Sequence, residues 1–322
     1  MNYRQLGTTG IAVSEIGFGA WGLGGDYGGA VAYGPTDENV SRNALAAALE
    51  SGINFFDTAD LYGFGHSESL IGDFFQNCRE KLVVATKGGF CDAETQSFTR
   101  EHLRQAFEAS LSRLRTDYID LYQLHSPSME QLRAQPEPIR LLKELQQEEK
   151  IRAWGISARS PDDARIAIEE FDSPVIQINF NLTDQRAREN GLFELCLARQ
   201  CGVIIRTPLC FGFLTGAYTG GDEFNSMDHR SRWPAEQVKR WSQATTDFQQ
   251  LLNGNPADTP CQLALRYCLS FSAVSSVIPG MLTPTQVQEN VMASDSGPLQ
   301  GTEIEAARLI YSASQFFVHP VK

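Results

Sequence analysis

The chain alternates short runs that are apolar on both faces with longer amphipathic stretches. "LVVAT", "IDLYQL", "VIQIN" and "GVIIRT" are typical of the short runs. A strand with two apolar faces must be covered on both sides, as parallel strands flanked by helices are. Such runs begin near Ile16, Asn54, Leu82, Ile119, Ala153, Val175, Val203 and Ser276. Most are spaced by roughly thirty residues, the length of one strand–crossover–strand unit. Eight strands, each followed by a helix, predict an α/β chain folded as a (β/α)8 barrel. A length of 322 residues suits one large barrel as well as two ordinary domains; the repeated unit favours a single barrel domain spanning 1–322, and a 42% hydrophobic composition can fill its core.

The intervening stretches carry helix punctuation. Residues 37–52 place Val40, Ala44, Ala47 and Ala48 on one face and stop at Gly52. Thr99 is an expected N-cap, and Ser160 caps a helix with Pro161 in its first turn. Pro136-Glu137-Pro138 marks a break before the fourth helix. The first 14 residues read as a hairpin turning at "GTTG". After Thr207 comes a long insertion with a Gly-rich loop, "GFLTGAYTGGDEF", and an additional helix near Pro234 to Leu252; Thr302 to Phe317 reads as a final helix. No linker or low-complexity segment divides the chain.

A net charge of −12 without a basic stripe argues against nucleic acid and membrane surfaces as partners. The seven cysteines are scattered with no CxxC pair, which fits reduced thiols. The N-terminus lacks an apolar signal region, and no run reaches the 18 or so apolar residues of a membrane span. The expectation is a cytoplasmic protein.

A barrel of this kind places its chemistry at the C-terminal ends of the strands. The last polar residues of the runs are Asp57 with Tyr62 just beyond, Lys87, His125, Ser157, Gln177 with Asn179, and Arg206. Taken singly, Asp57 is explained as a turn former, Tyr62 as packing, Lys87 as solvated and His125 as a core histidine. Together at successive strand ends they make chemical sense. A phenol is a poor acid at neutral pH, with a pKa of about 10. A lysine beside its oxygen favours the phenolate and is expected to lower that value. Asp57 supplies the counter-charge that a lysine among apolar strands needs. A histidine orients or polarises a carbonyl oxygen. The constellation is a general acid aimed at a carbonyl that receives a hydride, and only a cofactor can bring the hydride.

"GFGAWG" also matches the Gly-x-Gly-x-x-Gly dinucleotide fingerprint through Gly17, Gly19 and Gly22. That fingerprint requires a helix to open inside it, and "LGGDYGGAVAYGP" cannot be that helix. The expected element is a loop above the first strand, with Trp21 facing substrate.

The motifs "GFGAWGLGG", "NFFDTADLYGFGHSESLIG", "VVATKGG", "DLYQLHSP", "WGIS", "VIQINFN" and "SSVIPG…VQEN" resemble, in order along nearly the whole chain, those of the aldo-keto reductases. The resemblance implies carbonyl reduction with a nicotinamide cofactor. Tyr62 would be the acid, Lys87 and Asp57 would tune it, and His125 would position the carbonyl. Ser157 and Gln177 would contact the nicotinamide amide. Arg206, Pro208 and Leu209 would line the cofactor, and Gly280, Met281, Thr283, Gln286 and Asn290 would hold its adenosine phosphate end. Three positions depart from the family pattern: Ala158 replaces an Asn, Arg206 stands where an aromatic often stacks, and "GMLTPTQ" brings no basic residue to a 2′-phosphate. The Arg206 guanidinium can stack or bind the pyrophosphate. NADP(H) is favoured, with hydroxyl and backbone donors from Thr283 onward taking the phosphate, and NAD(H) is the alternative. Trp21, Phe64, Phe90 and Phe211 are candidates for an apolar substrate mouth, and the insertion around "FNSMDHRSRW" is expected to close over the cofactor. The substrate is a small carbonyl compound or alcohol. The resemblance also admits an NAD-dependent aldose dehydrogenase or a regulatory subunit like those of potassium channels; retention of all four polar residues favours the enzyme.

Overall fold

A computed structural model describes residues 1–27, 32–252 and 259–319. Tyr3–Gln5 (β1) and Ala12–Ser14 (β2) form an antiparallel hairpin turning through Gly7–Gly10. Eight parallel strands follow: Phe18–Gly19 (β3), Phe55–Asp57 (β4), Val83–Gly88 (β5), Ile119–His125 (β6), Ile151–Ser157 (β7), Val175–Asn179 (β8), Gly202–Arg206 (β9) and Val274–Ile278 (β10). They pair in chain order, and bridges Ile16–Val277 and Gly19–Gly280 join the first strand to the last. The strands thus close into the barrel that their two apolar faces require.

Gly19 sits on that seam. A Cβ there would lie 2.6 Å from the Ile278 carbonyl oxygen and 2.8 Å from that of Pro279. The glycines of "GFGAWG" therefore serve close strand packing. Only a five-residue 3-10 turn, Ala20–Gly24, follows them, too short for the helix the dinucleotide fingerprint demands.

Side-chain parity divides the core in two. Phe55, Val83, Ala85, Leu121, Ala153, Val175, Ile204 and Ile278 fill the barrel interior, while Phe56, Val84, Tyr122, Trp154, Ile176 and Ile205 pack outward under the helices. Leu6, Ile11 and Val13 of the hairpin join the interior cluster, so the hairpin plugs the barrel floor. Each such buried aliphatic side chain contributes about 1.5–3 kcal/mol. Further along β4 to β9 the interior positions become polar: Asp57, Lys87, Gln123, Gln177 and Arg206 each stand two residues past an interior apolar side chain, and Ser157 two past Gly155.

Thr99 and Ser160 cap their helices as expected, and Asp37 and Thr283 act in the same way. Asp37, Thr99, Ser160 and Thr283 each accept a hydrogen bond from the first turn of their helix. Residues 129–147 form two helices, Met129–Ala134 and Glu137–Gln147, broken at Gln135–Pro136. The insertion contains the helix Ala235–Phe248. Two expectations are corrected. Val40 is 40% exposed, because the buried stripe of helix Glu38–Glu50 runs through Ser41, Ala44, Leu45 and Ala48, one position away. The last helix covers Gly301–Ala313 only; the chain then extends so that Phe316 stacks on Phe248 and Tyr311. All seven cysteines are free thiols. Among the described residues no helix is long and apolar enough to cross a membrane.

Candidate active site

The strand ends bring four expected residues together. β4 ends at Asp57, and the chain keeps bonding to β5 as it leaves the barrel: Thr58 N–H donates to Ala85 O and Asp60 N–H to Lys87 O. This tethered loop carries Tyr62 over Lys87. It needs glycine at 63, where φ is +60° and a Cβ would meet the Gly24 carbonyl oxygen at 2.4 Å.

Lys87 is fully buried and spends its three N–H donors on three acceptors: Asp57 Oδ1 at 2.5 Å, the Thr58 carbonyl at 2.8 Å and the Tyr62 hydroxyl oxygen at 3.2 Å. The phenol oxygen is thus an acceptor toward the ammonium, and its own hydrogen is left to donate elsewhere. The other carboxylate oxygen of Asp57 accepts from Gln177 Nε2 at 2.8 Å and Gln123 Nε2 at 3.3 Å. The buried ion pair is therefore also hydrogen-bonded, the condition under which such a pair survives desolvation. The His125 ring meets that of Tyr62 edge-on, with centroids 6.0 Å apart, and its Nδ1 is buried without a partner among the described residues.

The electrostatics correct one expectation. Burial raises the Tyr62 pKa above the ordinary phenol value; Lys87 opposes the rise without reversing it. The resting acid therefore stays protonated, and the ammonium lowers the cost of losing the proton. Burial pulls on Lys87 in the opposite sense, but Asp57 and then Tyr62 outweigh it and hold the ammonium above its usual range. Burial, reinforced by Lys87 and Arg206, pushes His125 well below the ordinary imidazole value, so it is neutral and carries one N–H.

A cavity of about 860 Å³ opens over these groups. It is lined by Tyr62, His125, Trp21, Phe211 and His229, by Arg206, Pro208 and Leu209, and by Gly280, Gln286 and Asn290. That volume lies near the top of the range for ligand pockets, about 300–1,000 Å³, and exceeds the need of a small carbonyl compound alone. The backbone of this lining is strained: Thr207 and Phe211 have positive φ, as does the adjoining Cys210.

Other expected residues stand elsewhere. Phe64 turns outward and is 45% exposed, because the tight Gly63–Gly65 turn points it away from the cavity. Phe90 packs edge-on against His125, 4.8 Å between centroids, and supports that ring without lining the cavity. Met281 is fully buried in the core. Ser157 donates to Gln177 Oε1 at 3.3 Å beneath the cavity, and the Gln177 amide in turn supports Asp57. Thr283 caps the helix Pro284–Ser296, and Gln286 Oε1 accepts from the Leu282 N–H at 2.7 Å. Arg206 donates to the Ala158 carbonyl at 3.0 Å and makes no ion pair among the described residues. Gln123 went unread in the sequence, though its signal was there: a polar residue at an inward position of β6, two before His125.

The insertion meets the loop after β3. Asp228 bridges to Ala32 and Tyr33 and forms an ion pair with Arg230 at 2.6 Å. Arg230 also donates to the Tyr218 hydroxyl at 2.6 Å.

Comparison with known proteins agrees with this geometry. The family model described as "Aldo/keto reductase family" matches residues 15–311. The chain is 33% identical to the uncharacterized oxidoreductase YqkF of Bacillus subtilis (strain 168) over 318 residues, 95% of either protein. It is 33% identical to the NADH-specific methylglyoxal reductase of Escherichia coli (strain K12) over 316 residues, 91% of this chain and 93% of the relative. The solved holo form of aldo-keto reductase AKR11C1 from Bacillus halodurans superposes with a TM-score of 0.78 at 29% identity, covering 99% of this chain and 98% of that one. The chain belongs to the aldo/keto reductase family of NAD(P)H-dependent oxidoreductases.

Proposed function

We propose that this protein reduces small aldehydes or ketones with Tyr62 as the general acid. The observation that carries the reading is the Lys87 ammonium held between Asp57 and the Tyr62 hydroxyl beside His125. A bound nicotinamide supplies the hydride. Tyr62 gives its phenolic proton to the carbonyl oxygen as negative charge builds there. Lys87 stabilises the phenolate left behind, and Asp57 keeps Lys87 charged and in place. The neutral His125 donates its N–H to the same oxygen and fixes the carbonyl's direction. Trp21 and Phe211 give the cavity mouth its apolar wall. Ser157 and Gln177 are assigned to the nicotinamide carboxamide, and Arg206, Pro208 and Leu209 to the middle of the cofactor. Gly280, Thr283, Gln286 and Asn290 are assigned to its adenosine end.

NADP(H) is the proposed cofactor. Residues 280–290 carry no cation, but Arg232 of the insertion lines the same cavity as Leu282 and Gln286. It is exposed and makes no ion pair among the described residues, which suits a partner for a 2′-phosphate. NAD(H) is the second reading, favoured by the name of the Escherichia coli relative, an NADH-specific enzyme acting on methylglyoxal. Titration with NADPH and NADH, followed by turnover of an aldehyde and ketone panel, tests both points. Arg232→Gln should weaken NADPH and leave NADH; tighter NADH binding by the unaltered protein would replace the cofactor assignment. Absence of carbonyl reduction with either cofactor would defeat the functional reading.

A further inference from the structure

Arg206 ends β9 as a cation that the surrounding chain leaves unmatched. Its Nη2 donates to the Ala158 carbonyl at 3.0 Å, so the side chain reaches across β8 to the chain leaving β7. The end of β7 lies beside the end of β6: Ser157 pairs with His125, and the Ser126 N–H donates to the Ser157 carbonyl at 2.9 Å. The guanidinium is thus tied one residue beyond the β7 position that pairs with His125. It lines the same cavity as Tyr62 and His125, and its charge acts on both. The carboxylates that act on Arg206 are Asp57 and Asp184, and neither makes an ion pair with it among the described residues. Asp57 is held by Lys87, and Asp184 by Arg186 at 2.8 Å. Elsewhere in the lining, Arg230 is matched by Asp228, and burial keeps His125 and His229 neutral. A guanidinium does not titrate away. The cavity beside Tyr62 therefore carries an uncompensated positive charge.

We infer that Arg206 makes the site discriminate between the two redox forms of its cofactor, binding the reduced nicotinamide more tightly than the oxidised one. This rests on the carbonyl-reductase reading and deepens it. Reacting atoms must approach to about 3–3.5 Å, so a hydride donor has to lie beside the carbonyl that Tyr62 protonates and His125 orients. There it comes under the charge that already acts on both residues. The reduced ring is neutral and the oxidised ring is a cation, so the guanidinium repels the oxidised ring alone. An aromatic side chain at this position would attract a cationic ring through its π face; arginine reverses that preference. The oxidised cofactor is then shed readily after each reduction and is a weak inhibitor.

Isothermal titration calorimetry with NADPH, NADP⁺ and ADP-ribose 2′-phosphate tests this; the last carries the pyrophosphate without the nicotinamide. NADH, NAD⁺ and ADP-ribose replace them if the protein prefers that pair. The unaltered protein should bind the reduced form about tenfold more tightly than the oxidised one, the size of one like-charge repulsion at an effective dielectric of about 20. Arg206→Gln keeps N–H donors for the Ala158 carbonyl and removes the charge. It should bring the ratio toward one by tightening the oxidised form, and leave the ligand without nicotinamide unchanged. Arg206→Lys keeps the charge and should keep most of the preference. A ratio near one in the unaltered protein overturns the inference, whether or not Arg206→Gln folds, and so does a ratio that survives Arg206→Gln. Equal weakening of all three ligands by Arg206→Gln would mean that the guanidinium grips the pyrophosphate or serves the fold alone, which also overturns it. If none of the ligands binds, the cofactor-dependent reading itself fails and this inference falls with it.

Discussion

Replacing Asp57 by Asn should expose how much the fold depends on the charge beneath Tyr62. Lys87 is fully buried, and among the described residues Asp57 is its one anionic partner within ion-pair distance, at 2.5 Å. The substituted amide can still accept from Lys87 through its oxygen. Its NH2 group would then face the NH2 groups of Gln177 and Gln123, which now donate to the carboxylate. Removing one partner of a buried pair costs about 3–5 kcal/mol, chiefly by leaving the other charge uncompensated. At roughly 2 °C per kcal/mol for a chain of this size, Tm should fall by about 6–10 °C. The pH dependence identifies the cause. In the unaltered protein the folded Lys87 pKa is raised. Its contribution to stability is then full below the unfolded value, about 10.4, and is lost only as pH climbs through the higher folded value. In Asp57→Asn, burial acts without the carboxylate and the folded pKa drops below the unfolded one. The penalty is then full at neutral pH and is relieved as pH rises toward about 10.4. Thermal unfolding from pH 6 to 10 should therefore show a deficit that shrinks with pH. The double variant Asp57→Asn/Lys87→Met should recover part of it, because no charge is left stranded. A deficit below about 1 kcal/mol, or one of constant size across that range, refutes the reasoning.

Asp60 offers a second pH signature. Burial first, then repulsion from Glu68, raises its pKa to about 7, so stability declines as pH rises from the unfolded carboxyl value, about 3.9, to about 7, and the full penalty stands above it. Asp60→Asn should raise Tm relative to the unaltered protein at pH 8 and lose that advantage by pH 4, as calorimetry can read. Gly19→Ala should destabilise by about 1–3 kcal/mol in denaturant titration, because the added methyl meets the Ile278 and Pro279 carbonyl oxygens at the barrel seam. Carbonyl reduction should show no imidazole inflection between pH 6 and 8, since His125 is held neutral well below its ordinary range; a pH–rate profile with a step near 6.5 would contradict that assignment.

Strand order, capping residues and the four polar strand ends were legible because each is a local signal: two apolar faces, a cap before a periodic run, a polar residue where an apolar run stops. Parity would have yielded Gln123 as well, since period-two alternation fixes which strand residues face the barrel interior. Val40 and Phe64 were misplaced because one residue of helical phase, or one tight turn, reverses a side chain's direction. The lysine's effect on Tyr62 was read from its charge alone; the competing cost of burial depends on how deeply the folded chain encloses the phenol. His229, Tyr33 and Arg232 reach the cavity through loops far apart in sequence. Nothing local in "FNSMDHRSRW" shows that Asp228 pairs with Ala32 and Tyr33.

The account stands most directly on single-turnover reduction of a carbonyl substrate by Tyr62→Phe. Burial of the ring is retained in that variant and only the ionisable hydroxyl is removed. The rate of hydride transfer should fall by about 10²–10⁴-fold, while cofactor affinity stays within twofold of the unaltered protein. Hydride transfer at the original rate with cofactor still bound would mean that another group supplies the proton, and the central claim would fail.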